Sequence, residues 1–138
     1  MWSYEFATDT DLDRTSCWTA LAAIHTGQAT TAGGDVFELH GPFEVGTELC
    51  VTPAGQETFR SVITELDEAE AYADLTFYDG LTLAFRYTLA DLPSGGTRLS
   101  HRLVIDGEAA DAVGPELGPQ ITSDFPADLD ELVALARG

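Results

Sequence analysis

A chain of 138 residues that is 44% hydrophobic amounts to one domain, residues 1–138, with apolar side chains enough for a core and with 13 glycines and six prolines for its turns. Its 24 acidic side chains outnumber six basic ones, all arginine, and the formal charge of −18 argues against nucleic acid or an anionic membrane surface as a partner. No window holds the roughly 18 apolar residues of a spanning helix, and Met1-Trp2-Ser3-Tyr4-Glu5 has neither the basic nor the apolar part of a signal peptide, so the expectation is a cytoplasmic protein without membrane insertion.

Trp2, Tyr4 and Phe6 alternate with Ser3, Glu5 and Ala7, the period of a strand that buries three aromatics on one side. Thr8 to Asp13 offers capping and acidic residues for a helix start. Trp18, Leu21 and Ala22 follow at helical spacing, with His25 next on that face and Gly27 as the stop. Near a helix C-terminus, His25 reads as a surface group that offsets the dipole. Thr30 to Gly34 is a polar connector, and Asp35 to Gly41 alternates as a second strand with Phe37 and Leu39 on one face and Glu38 and His40 on the other. Glu48 to Thr52 is a third strand on Leu49 and Val51.

Glu57 to Leu66 is a fourth strand whose inward face stays open, because Phe59 and Ile63 alternate against Val62, Thr64 and Leu66. Tyr72 to Tyr78 is the fifth. Asp79-Gly80 invites a two-residue turn, yet that register leaves Phe77 outside. A three-residue loop of Tyr78, Asp79 and Gly80 instead sets Phe77 opposite Leu81 and brings Leu75 to the same apolar face.

Leu81 to Gly107 then reads as a long hairpin. Leu81, Leu83, Phe85, Tyr87 and Leu89 share one face of its first arm; Leu99, His101, Leu103 and Ile105 share one face of the second. Asp91, Pro93, Ser94, Gly95 and Gly96 make the turn. Pairing Leu89 with Leu99 sets Tyr87 opposite His101 and Phe85 opposite Leu103, so a phenol and an imidazole meet among hydrocarbon. The rest is helical, with Leu117, Ile121, Phe125, Leu129, Leu132, Val133 and Ala136 at three-to-four spacing. Pro126 is expected to bend that helix, and Gly114 and Gly118 to weaken its start. Strand, helix, six strands and a terminal helix joined by short turns define an α+β fold with a curved antiparallel sheet of about seven strands covered by the last helix.

At this level the chain resembles the SRPBCC or START-like superfamily, and within it the polyketide cyclase/dehydrase and lipid-transport group. The carriers are Cys17-Trp18-Thr19-Ala20-Leu21, Gly41 with Val45-Gly46-Thr47, Gly95-Gly96-Thr97-Arg98-Leu99 with His101, Gly107, and the terminal run with Gly114, Gly118, Ile121, Pro126, Leu129 and Leu132. The resemblance implies a helix-grip fold, in which the sheet wraps the C-terminal helix around a largely apolar cavity. It also implies a choice of functions: a carrier of a small hydrophobic ligand, lipid or polyketide-like, is the favoured one. A cofactor-independent cyclase/dehydrase and a chaperone-activator-like partner module are the alternatives. Cyclases of the group typically place Arg and Tyr inside the cavity, whereas Arg86, Arg98 and Arg102 all point outward here by alternation.

The hairpin would line the implied cavity with Tyr87, His101, Phe85, Leu83, Leu99 and Leu103. Phe77 would add to it from the fifth strand, Trp18 from the first helix, or else as core, and Ile121 and Phe125 from the last helix. Tyr87 and His101 either orient a ligand oxygen or bond each other. Unless a carboxylate also points inward, burial should keep His101 neutral near pH 7, able to hold Tyr87 with one nitrogen and a ligand with the other. Ser100 and His101 face opposite ways and cannot form a nucleophile and base dyad. The search for a nucleophile elbow, a phosphate-binding glycine loop, an HExxH helix and a dinucleotide fingerprint is empty. No cofactor or metal is expected, because three scattered histidines and two distant cysteines, read as reduced thiols, make no converging donor set. Oligomeric state is left open.

Overall fold

The computed structural model describes residues 1–29 and 35–138, so the expected connector at 30–34 lies outside the described residues. In chain order the elements are β1 (Trp2–Thr10), α1 (Arg14–His25), β2 (Val36–Leu39), β3 (Glu48–Thr52), β4 (Phe59–Asp67), β5 (Ala71–Tyr78), β6 (Leu81–Asp91), β7 (Thr97–Asp106), α2 (Ala110–Thr122) and α3 (Phe125–Arg137). The strands form one antiparallel sheet in the order β1-β7-β6-β5-β4-β3-β2. α2 and α3 close its concave side, with α1 packed on α3. This is the helix-grip architecture.

β6 and β7 carry the expected register, with Leu89 opposite Leu99, Tyr87 opposite His101 and Phe85 opposite Leu103. α1 starts where the sequence offers its best cap: the Asp13 carboxylate accepts the Ser16 N–H at 2.8 Å. From there Cys17, Leu21 and Ile24 pack with Leu129 and Leu132 of α3 in one core cluster. A second cluster joins Leu83, Leu103 and Ile105 to Phe125.

Several expectations are corrected. β5 and β6 are joined by the two-residue turn, not the three-residue loop, and Tyr78 pairs with Leu81. Asp79 and Gly80 both have positive φ, 48° and 76°, the signature of the hairpin turn whose twist matches its strands. Phe77 therefore points outward, 43% exposed, with the Arg60 guanidinium 5.5 Å from its ring centre, and it does not line a cavity. Leu75 goes out with it. The inward face of β5 is Tyr72, Asp74, Thr76 and Tyr78. On β4, which begins at Phe59, a bulge between Ile63 and Glu65 explains the undecided pattern: Phe59, Ser61 and Ile63 face inward before it, and Leu66, paired with Tyr72, does so after it. On β1, Trp2 and Phe6 are half-buried, whereas Tyr4 stays 42% exposed with its ring 6.2 Å from that of Phe125.

The C-terminal helix is two helices. The chain breaks at Ser123-Asp124, and Pro126 lies in the first turn of α3, where its missing N–H has no partner to lose. Gly114 and Gly118 are contact points, not weak ones. A Cβ on Gly114 would fall 2.5 Å from the Trp2 Cβ, and one on Gly118 within 2.6 Å of the Trp2 ring, so both glycines let α2 lie directly on the indole. Gly118→Ala should accordingly destabilise the fold by about 1–3 kcal/mol through overpacking, although alanine is the better helix former by about 1 kcal/mol. In a Trp2→Ala background the same substitution should turn neutral or stabilising. Urea denaturation of the four proteins in this cycle measures the change of sign.

Candidate functional site

Between the concave face of the sheet and the helices lies a cavity of about 530 Å³. β6 and β7 contribute Leu83, Phe85, Tyr87 and His101, and the helices contribute Ile121, Phe125, Leu117 and Leu132. Six of the expected lining residues are therefore in place. Leu99, Leu103 and Trp18 are not: Leu99 and Trp18 belong to the cluster under α1 and α3, and Leu103 to the cluster under Phe125. Alternation assigned the leucines to the correct face, but the helices fill the space above them.

His101 lies at the centre. It is 3% exposed and stacked between Tyr87 and Phe125, with ring centroids 3.9 Å and 3.8 Å away and interplanar angles of 15° and 20°. The expected hydrogen bond to Tyr87 is absent, because face-to-face rings aim their polar atoms past each other. Both His101 nitrogens lack a partner among the described residues. Each buried, unpaired polar atom costs about 1–3 kcal/mol. Burial, aided by the repulsion of His25, lowers the His101 pKa to about 3, so the ring is neutral and able both to donate and to accept.

The β5 register brings polar groups that the sequence pattern had turned outward. Asp74 is 6% exposed, and its carboxylate accepts the Tyr72 hydroxyl at 2.8 Å. Burial pushes the Asp74 carboxyl up to about 7, against the downward pull of that bond, while burial and the neighbouring Asp74 push the Tyr72 phenol far up. Ser61 and Thr76, paired across β4 and β5, share a hydroxyl hydrogen bond of 2.6 Å in the same wall. His25 is a further correction: it is 4% exposed, not on the surface, and it donates from Nδ1 to the Leu21 carbonyl at 2.8 Å. That bond leaves Nε2 as the basic nitrogen, and burial holds the His25 pKa down at about 4.

At the helix side the cavity meets Asp35, Asp124, Asp128 and Glu131. Burial, and then the charges of Asp35, Asp124 and Glu131, push the Asp128 carboxyl up to about 7. Among the described residues the lining contains no arginine. Arg86 and Arg98 instead make two-pronged ion pairs on the outer face with Glu65 (2.7 and 3.2 Å) and Asp9 (2.8 and 3.1 Å). Arg102 is exposed, so all three point outward as alternation required. His40 stays on the outer face of β2 with Glu38, at 3.1 Å. Asp74, Tyr72 and Thr76 were missed together, and one signal would have found them: the Asp79-Gly80 pair accepted as a two-residue turn; Ser61 lies on β4, where the bulge hides the inward face.

No family model and no curated protein matches this sequence. Solved structures match in fold. Norcoclaurine synthase from Thalictrum flavum superposes with a TM-score of 0.72 at 13% identity, over 96% of this chain and 84% of that one. The aromatase/cyclase Zhui from Streptomyces sp. R1128 gives 0.72 at 16% identity, over 98% and 93% of the two chains. Ara h 8.0201 gives 0.67 at 16%, over 96% and 97%. At these identities the likeness is one of fold, and it is the helix-grip fold that the SRPBCC/START-like resemblance implied.

The buried carboxyl has a consequence for stability. Asp74 keeps its proton up to about pH 7 in the folded state, whereas the unfolded chain releases it near its ordinary value of 3.8. Its contribution is therefore fully present below pH 4 and is lost as pH rises through 7. Asp74→Asn should gain stability over the native protein across that window by up to about 1.4 kcal/mol per pH unit. The gain should level off above pH 7. Denaturant midpoints of the two proteins between pH 4 and 8 check the slope.

Proposed function

We propose that the protein binds a small, largely apolar molecule in its internal cavity, with an oxygen or nitrogen of that molecule bonded to His101. The observation that carries this reading is the imidazole of His101, 3% exposed and with both nitrogens unpartnered among the described residues, in the wall of a cavity of about 530 Å³. A core histidine without function would have found a partner, as buried polar groups do. The aromatic and aliphatic side chains around it supply the bulk of the affinity, and a few polar groups set the orientation.

A second reading is favoured by Asp74. A buried carboxyl that titrates near neutrality, in the same wall as a neutral imidazole, has the properties of a general acid or base, and cofactor-independent cyclase/dehydrase chemistry needs such a group. Two of the fold's neighbours carry enzyme names, an aromatase/cyclase and a synthase. Binding remains the primary conclusion, since it is common to both readings.

Replacing His101 with Phe keeps the stack between Tyr87 and Phe125 and removes both nitrogens. The variant should stay folded and lose about tenfold in affinity for naphthol, the worth of one buried hydrogen bond, while binding naphthalene as before. Equal loss for the two probes, or no loss for either, would make His101 a structural residue. Native mass spectrometry of protein purified from its own cells should show a retained small molecule.

A further inference from the structure

Resting on that binding reading, the charge of the lining specifies the ligand further. Five carboxyl groups line the cavity, Asp74 from β5, Asp35 ahead of β2, and Asp124, Asp128 and Glu131 from the helix side, and among the described residues no arginine opposes them. They line one cavity, and in its wall the pKa of the Tyr87 phenol is raised by burial and then by the charges of Asp128, Asp74 and Asp35, which come from three different parts of the chain. The imidazoles do not offset this field, since both are buried and neutral. His101, in the wall of the same cavity and without a partner for either nitrogen among the described residues, can accept an N–H. The acids are nevertheless dispersed. Among the described residues no three His, Cys, Asp or Glu side chains converge closely enough to hold a metal ion. Such a diffuse negative field, walled by Phe37, Phe59, Phe85 and Phe125, suits an organic cation whose charge also meets aromatic faces.

We propose that the cavity takes a monocation: an aromatic or alicyclic body carrying a protonated amine, with the ammonium directed to the carboxylates of Asp74 and Asp128 and an N–H offered to His101. An anionic ligand such as a fatty acid is excluded by the same groups. Its carboxylate would enter a space that no arginine among the described residues compensates, whereas an ammonium gains charge-assisted hydrogen bonds there.

The test is a series of three head groups on one body, naphthyl-ethylamine, naphthyl-ethanol and naphthyl-propanoate, each titrated against the full chain carrying the neutral fluorescent reporter N-phenyl-naphthylamine at pH 7.5. The amine should displace the reporter about tenfold or more tightly than the alcohol, and the propanoate should be the weakest of the three. Asp74→Asn, which keeps an acceptor for Tyr72, should remove most of the amine's advantage over the alcohol. An alcohol as tight as the amine, or a propanoate tighter than either, would overturn the cation assignment while leaving the cavity a binding site. A reporter that fails to bind, or that none of the three displaces, would overturn the binding reading itself. The head-group series on the native chain decides the question even if Asp74→Asn fails to fold.

Discussion

A turn of two residues, Asp79 and Gly80, governs what this protein can do. Side chains alternate along a strand, so the residue that closes the turn sets the parity of everything behind it on β5. With Tyr78 paired to Leu81, Tyr72, Asp74, Thr76 and Tyr78 face the helices. One residue of slip would put Ala73, Leu75 and Phe77 there instead, and the cavity would be a hydrocarbon pocket with one histidine. The turn wins because both of its residues adopt positive φ, which matches the twist of the strands, and the exposure of one phenylalanine is a small cost beside splaying a long hairpin. Phe77 is not left bare in any case, since Arg60 lies over it.

The charges are sorted by the same alternation. Arginines on outward positions of β6 and β7 pair with Glu65 and Asp9, in exposed bridges that contribute little stability each but occupy the positive charge at the outer face. The interior is left with acids and neutral imidazoles. Burying Asp74 and His101 costs free energy that an apolar pair would not, and the two core clusters on either side of the cavity offset it. One lies under α1 and α3, and the other between the hairpin and Phe125. The cavity is thus the unfilled space between two well-packed regions, and its polar groups are held by rigid strands. Such positioning is what orienting a ligand requires.

Small residues make that space. α2 rides on Trp2 through Gly114 and Gly118, so the helix sits closer to the sheet edge than any side chain would allow. Its continuation then breaks at Ser123-Asp124 and restarts as α3, which brings Phe125 over His101 and Asp128 to the cavity. A straight helix could not both lie on Trp2 and cap the histidine, and the break reconciles the two contacts.

Much of the architecture was legible because periodicity is a local property. Alternation set the β6 and β7 register, with Tyr87 opposite His101, and helical spacing after the capping residues of Thr8 to Asp13 found α1, as it found the helical character of the C-terminal stretch though not its break. What resisted was whatever depended on a choice between two local patterns or on a distant surface. The turn at Asp79-Gly80 was weighed against burying Phe77, although a cation from the neighbouring strand makes its exposure tolerable. The bulge after Ile63 inserts one residue and so erases the alternation that would reveal the inward face of β4. His25, Leu99 and Leu103 have identical local signatures whether a helix, a ring or empty space lies above them. The sequence by itself determined the strands, the order of the hairpins and the inward faces of β6 and β7, because these follow from the period of side chains along the backbone. Only the tertiary structure decided which of those inward residues meet packing and which meet a cavity, because that depends on the volume left between surfaces far apart in the chain.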